Sequence, residues 1–293
     1  VLENIIYKVL TGSPQIADSV ARYGKKPAIF FKMAAPDNDA NWNNKHQYPQ
    51  IVYFVDQQYH PERKAEGMLQ IDFLCDEKCH IVPEDMGESI VKIISELFLT
   101  EGNTTTCILW NRSDSFDQPG TGQNATGEYS ISGETHSFDL FQFPAQITTN
   151  PDPILALNMW TKKAFPMCVL IGYDNLPDIW RPTDQRPALY WRTTGTISAV
   201  KTSFAVAWVD VTIVGHVIAG SPAERQKWIR GIVNRMALSG EIALNDGSPM
   251  VIRRITYVSS ANPIRDGQIT ITGRYGILRN QNVQPLLRNI SIK

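Results

Sequence analysis

Apolar and polar residues alternate strictly in several short runs. GMLQIDFLCD sets Leu69, Ile71, Phe73 and Cys75 on one side, and AVAWVDVTIVG repeats the pattern, so each predicts a strand with one buried face. Two longer runs change period. In PEDMGESIVKIISELF, residues Met86, Ile90, Ile93, Ile94 and Leu97 fall on one helical stripe. Pro83 opens that helix, with Glu84, Asp85 and Glu88 where its dipole favours negative charge. In SPAERQKWIRGIVNRMA the stripe is Trp228, Ile229, Ile232, Val233 and Met236. Ser221 is the N-cap there, Pro222 the first helical residue, and Glu224 completes a capping box.

These landmarks recur at a fixed distance. Pro27 precedes the apolar run AIFFK, and Pro166 precedes MCVLIG 139 residues later. Pro49 precedes IVYFV, and Pro187 precedes ALYWR at an offset of 138. Asp72 and Asp210 are also 138 apart, each in its alternating strand and each followed by a striped helix. Four ordered landmarks within one residue of one offset predict a domain duplication.

Each half then reads alike. Short helices come first, over Leu2–Leu10 and Ile16–Arg22, and over Ile154–Thr161 after a Pro-Asp-Pro break. Strands follow at Ala28–Lys32 and Ile51–Asp56, matched by Cys168–Gly172 and Leu189–Thr194, then the Asp-bearing strands Met68–Cys75 and Phe204–Val214. After the striped helix comes a hairpin. Thr104–Trp110 and Tyr129–Phe143 flank the loop RSDSFDQPGTGQNATG in the first half, and Val251–Tyr257 and Gln268–Tyr275 flank SSANPIRDG in the second. The predicted fold class is α+β, as two tandem related domains, 1–148 and 149–293, each a mixed or antiparallel sheet with a packed amphipathic helix and a C-terminal hairpin.

The length of 293 residues suits two such domains. The composition, 43% hydrophobic and 19% charged, is that of a globular protein. No run approaches 18 apolar residues, which excludes a helical membrane span, and VLENIIYKVL lacks the pattern of an export leader. The net charge of −1 gives no global attraction for a polyanion. That balance is a cancellation. Residues 1–149 hold 11 Lys and Arg against 20 Asp and Glu, a net −9, while residues 150–293 hold 17 against 9, a net +8. Sibling domains of opposite charge predict a contact that pairs acidic with basic surface, either within a chain or between neighbours, and between chains such a contact is heterologous, giving rings or filaments.

The residues offer little catalytic chemistry. There is no phosphate loop, no H-E-x-x-H and no G-x-S-x-G. Gly120, Gly122 and Gly127 have the wrong spacing for a dinucleotide fingerprint and open no helix. None of His46, His60, His80, His136 and His216 falls in a ligand or acid–base spacing. Cys75, Cys79 and His80 could begin a zinc site but have no second pair, and Cys75 continues a buried strand face. The reading is therefore no catalytic, metal or cofactor site. The paired Asp72 and Asp210 keep a metal-dependent hydrolase or nuclease as the alternative of another class. Trp180, Trp191, Trp208 and Trp228 read as core or interface anchors more than as a sugar platform, though a two-module carbohydrate- or host-binding protein stays open.

The segments YPQIVYFV, GMLQIDFLCDEK and PEDMGESIVKIISELF together resemble the tail terminator or tail completion proteins of long-tailed bacteriophages, and RPALYWR, AVAWVDVTIVG and SPAERQKWIRGIVNRM repeat the pattern. The resemblance rests on order and pattern, and the chain departs from the single-domain family by duplicating it. It implies a structural virion protein, assembled in the host cytoplasm, that forms a homo-oligomeric ring. The ring would cap the tail tube, end its polymerisation and offer the head–tail joining surface. A hexamer is favoured and a trimeric pseudo-hexamer is the alternative. Tube protein and neck or connector proteins are the expected partners, with sheath a further one the resemblance allows, and genomic DNA passes through the lumen without specific binding. A neck adaptor or a tube component is the alternative within the same class. Asp114 and Asp117 are the candidate lumen- or partner-facing loop residues, and Arg181, Arg186, Arg253 and Arg254 the candidate inter-subunit contacts.

Overall fold

A computed structural model describes residues 2–43, 45–58, 65–119, 130–146, 149–194, 198–202 and 205–278. The chain forms two compact units, one of residues 1–144 with 175–181 and one of residues 145–174 with 182–293. The excursion at Asn175–Arg181 crosses the boundary expected from the duplication, because its backbone completes the first unit's sheet.

The first unit opens with helices α1 (Leu2–Gly12) and α2 (Pro14–Ala17). The expected helix to Arg22 stops early, since Arg22–Tyr23 pairs with Lys26–Pro27 around Gly24, whose φ of 61° suits glycine. Strands β1 (Ile29–Phe31), β2 (Gln50–Gln57) and β3 (Gly67–Asp76) follow, then α3 (Pro83–Ile94), β4 (Leu97–Glu101), β5 (Thr104–Pro119) and β6 (Ser130–Pro144). The striped helix ends before Leu97, which is buried but opens a strand. Ser95 is extended, Glu96 adopts φ 57°, and the Glu96 amide already donates to the Ile108 carbonyl at 2.7 Å. The sheet runs β4–β5–β6–β3–β2–β1, and a short arm strand, Ile179–Trp180, is added outside β4. The arm is fixed by Trp180, which stacks on Phe98 with centroids 4.7 Å apart and donates to Thr100 Oγ1 at 3.0 Å.

The second unit carries α4 (Pro153–Ala164), β7 (Val169–Leu170), β8 (Ala188–Thr193), β9 (Ser198–Thr202), β10 (Val206–Ile218), α5 (Pro222–Ser239), β11 (Glu241–Ala243), β12 (Pro249–Tyr257) and β13 (Ile269–Leu278). Its order β11–β12–β13–β10–β8–β7, with β9 also on β10, reproduces that of the first. In both sheets the first pair is parallel, Ile29 beside Ile51 and Leu170 beside Leu189, and the remaining pairs on the shared path are antiparallel. The α+β class and the repeated sheet follow from this topology.

In each unit the helices cover one sheet face. Leu69, Ile71, Phe73 and Cys75 of β3 pack with Met86, Ile90 and Ile94 of α3 and with α1. Val209, Val211 and Ile213 of β10 pack with Ile229, Ile232 and Met236 of α5 and with α4. Ser221 caps α5 as the sequence predicts, its Oγ accepting from the Glu224 amide at 3.3 Å, and the structure adds a second cap at α4, where Asp152 Oδ1 accepts from the Ile154 and Leu155 amides, each at 2.9 Å.

One expected equivalence fails. Asp72 lies opposite Val52 of β2, but Asp210 lies beyond the end of β8 and pairs with Arg274 and with Ser198. The residue of β10 that faces β8 where Asp72 faces β2 is His216, opposite Tyr190. The longer connection after β8 pushes the register along, and a shorter link from β10 to α5 restores it.

Candidate functional site

The faces of the two sheets away from the helices bury some positions, Phe141 and Phe143 in the first unit and Tyr190 and His216 in the second, and leave other rows accessible; ladder register fixes which side chains they present, since antiparallel partners share a face. In the first unit one row crosses β2, β3, β6 and β5 as Val52, Asp72, Thr135 and Asp114. The row beside it is Phe54, Gln70, Ser137 and Arg112, and the next holds Asp56, Met68 and Asp139. Four carboxylates and one guanidinium make this face acidic. Asp72 accepts from Thr135 Oγ1 at 2.7 Å and from Gln70 at 3.0 Å, Asp139 accepts from Asn111 at 3.1 Å, and Asp114 pairs with Arg112 at 3.0 Å. The Asp114 side chain is 56% exposed, so its pairing with Arg112 is weak and its charge is available.

The corresponding face of the second unit is basic. Its rows read Arg192, Val214, Thr270 and Thr256, then Thr212, Thr272 and Arg254, then Asp210, Arg274 and Val251. A bulge between Ile252 and Arg254 adds Arg253, which lies close enough to Asp210 to help lower its pKa. Arg274 grips Asp210 through two bonds, at 2.6 and 2.8 Å, and this pairing above all holds the Asp210 carboxyl below the usual carboxylate range. Asp72 and Asp210 therefore lie in separate units, each held by its own sheet neighbours. Among the described residues no group of three or more His, Cys, Asp or Glu side chains is arranged to hold a metal ion.

The other predicted positions divide. Asp114 and Asp117 belong to strand β5, not to a loop, because the hairpin is longer than its polar sequence suggested. A spacing of three sends them to opposite faces, Asp114 to the open face and Asp117 to the helix side. Arg253 and Arg254 are exposed on the basic face. Arg181 is exposed, but its guanidinium is engaged within its own unit. It donates to the carbonyls of Lys92 and Ile93, at 3.0 and 2.5 Å, and so caps the C-terminus of α3. Arg186 sits in a turn closed by its own amide to Thr183 Oγ1 at 3.1 Å. His60, Gly120, Gly122, Gly127, Tyr129 and Phe204 lie outside the described residues.

The cysteine cluster gathers a different histidine from the one adjacent in sequence. His80 is exposed, whereas His46 Nε2 meets Asp76 Oδ2 at 2.5 Å and Cys79 Sγ approaches Asp76 Oδ1 at 3.4 Å. Burial pushes both the Cys75 and Cys79 thiols up, so they stay protonated at neutral pH, and all four cysteines are free.

A polar trio that no motif announced lies under α3. His136 is fully buried on β6, its Nδ1 is 2.8 Å from Ser113 Oγ, and its Nε2 is 3.5 Å from Glu134 Oε2. Neither His136 Nε2 nor Glu134 Oε2 has a hydrogen-bond partner. Burial holds the His136 imidazole down at about 4, while burial with Glu84 and Glu88 nearby raises the Glu134 carboxyl. Gly87 makes room for the pair, since a Cβ there would stand 1.9 Å from Glu134 Oε2. The His136 ring is fully buried, so the trio belongs to the packing of the core. Alternation on β6 was the available signal, as it puts His136 on the same face as Phe138 and Leu140.

A scan against protein-family models finds no match for this sequence, and a search of curated proteins finds none.

Proposed function

We propose that this chain is a structural assembly protein of the phage tail-terminator type. It closes into a homo-oligomeric ring that caps a tail tube, ends its polymerisation and offers the neck-joining surface. The reading is carried by one observation: the same sheet order occurs twice in the chain, and the open faces of the two sheets are opposite in charge. A unit used twice with complementary surfaces suits repeated self-association, because an acidic face repels its own kind and accepts the other.

The charges of the units agree. Moving Asn175–Arg181 from the second half to the first transfers one Asp and one Arg, so the units keep net charges of −9 and +8. Tube protein, neck or connector proteins and sheath are the partners this reading assigns. An acidic surface lining a channel would let genomic DNA pass without releasing counterions.

Light scattering with negative-stain imaging tests the assembly. The expected result is a ring with a central hole containing six of the 32.9 kDa chains, or three in the pseudo-hexameric alternative. A monomer at all accessible concentrations overturns it. Adding the ring to polymerising tube protein tests the role, and tubes that elongate past the ring overturn the terminator assignment. Tight DNA binding with a steep salt dependence would refute the channel reading.

A further inference from the structure

Building on the ring-forming reading, we propose that the contact between copies is sheet face to sheet face. The acidic open face of the first unit docks on the basic open face of the second unit of the next copy. The occupant of each face is thus a second copy of this chain.

Charge is the first argument. Asp56, Asp72, Asp114 and Asp139 stand on one face against Arg112 alone, a local balance of −3. Arg192, Arg254 and Arg274 stand on the other against Asp210, a balance of +2, with Arg253 at the bulge beside them. Complementary potentials of this kind fix the partner and the register of a contact.

The apolar residues on the same faces are the second argument. Phe54, at 39% exposure, lies between the acidic rows, and Met68, at 38%, lies between Asp56 and Asp139 within one. Trp208, at 39%, and Val251, at 42%, flank the Asp210–Arg274 pair. On the helix-covered faces Leu69, Ile71, Phe73, Val209, Val211 and Ile213 are buried, whereas these four large apolar residues on the other faces stay roughly two-fifths exposed, which is how interface anchors look in a single chain. Aromatic anchors set among charged rows are what a specific contact needs. Both Asp114 and Arg254 are exposed in the single chain.

Two charge-inverted variants test the proposal, Asp56→Lys with Asp114→Lys, and Arg253→Glu with Arg254→Glu, each checked for native circular dichroism. Each variant alone now sets like charge against like and is expected to elute as a monomer. Mixing the two restores complementarity at every contact of an alternating ring, so the mixture should reassemble into an even-membered ring. Rings formed by either variant alone would overturn the face-to-face contact while leaving the ring reading intact. A monomeric wild-type chain would fail the ring reading itself, and the two failures are thereby distinct. Should a variant not fold, the wild-type ring supplies the test. Raising salt from about 0.05 to about 1 M shortens the screening length severalfold and should weaken assembly at least tenfold, and a salt-insensitive ring would overturn the proposal.

Discussion

Gly87 is the position where a single methyl group tests the packing under α3 most directly. In the substitution Gly87→Ala the new Cβ would stand 1.9 Å from Glu134 Oε2, 2.6 Å from His136 Cε1 and 2.8 Å from His136 Nε2. Ordinary contacts of these atoms need more than 3 Å, so either the carboxylate and the ring move or α3 lifts. The ring has no free direction, since it is fully buried and Ser113 Oγ holds Nδ1 at 2.8 Å. Two terms oppose each other. Alanine favours the helix over glycine by about 1 kcal/mol. Overpacking a filled core costs roughly 1–3 kcal/mol, and here it also displaces an acid whose burial is already unfavourable. The net expectation is a loss of about 1–2 kcal/mol, which raises the opening of α3 roughly tenfold.

Native-state hydrogen exchange on a peptide covering residues 83–94 of the full chain measures that opening. Exchange about tenfold faster in Gly87→Ala is the expected result. Adding Glu134→Ala removes the closest contact and leaves the imidazole ones, so the double variant should recover about half the loss and show coupling between the sites. Exchange as slow as in the wild type, or slower, would mean that helix propensity dominates. The crowded trio would then be refuted.

Three further outcomes follow from specific contacts. Between pH 6.5 and about 4 the unfolded chain takes a proton on His136 that the folded chain refuses, so stability falls as pH drops through that window. The shift corresponds to at most about 3 kcal/mol, partly offset because the raised Glu134 carboxyl takes up its proton earlier in the fold. Melting temperature against pH should therefore fall less steeply in His136→Gln, and equal slopes would refute the assignment. Asp152→Ala removes the acceptor for the Ile154 and Leu155 amides and should cost about 1–2 kcal/mol by denaturant titration, while Asp152→Asn keeps most of the cap. Trp180→Ala removes the stacking on Phe98 and the bond to Thr100, a loss of roughly 3 kcal/mol. The arm should detach, and exchange at the Thr100 amide, which donates to Asp178 at 2.9 Å, should accelerate.

The parts of this fold that local chemistry dictates could be read from the sequence. Alternation located β3 and β10, stripes and caps located α3 and α5, and a fixed offset exposed the repeat. What escaped depended on contacts distant in sequence. The arm at Ile179–Trp180 is two residues long, and only its pairing with Leu99 and Phe98 makes it a strand. The stretch Arg112–Asp117 is polar on both faces and reads as a loop, yet β6 holds it in register to Pro119. Helices α3 and α5 match in offset because an insertion before β10 and a deletion after it cancel, so Asp72 and Asp210 share an offset without sharing a place in the sheet, a drift that only the ladders reveal. Of the proposed site, Arg253 and Arg254 were legible as basic loop-edge residues and Asp114 as an acid. That they belong to two complementary sheet faces needed the register.

The same register bears on how many copies such a ring would hold. A trimeric pseudo-hexamer places both units at equivalent points of one ring, so each contact type must work with either unit on either side. The open faces are not interchangeable in this way, because one is acidic and the other basic. The edges differ as well: β4 is covered by the arm strand, whereas among the described residues no strand covers the matching β11. Units that differ in both face and edge are poor substitutes for each other. A ring of whole chains, each presenting one acidic and one basic face, needs only a single heterologous contact repeated until it closes. That requirement is weaker than quasi-equivalence, and the rotation between successive contacts then sets how many whole chains close the ring.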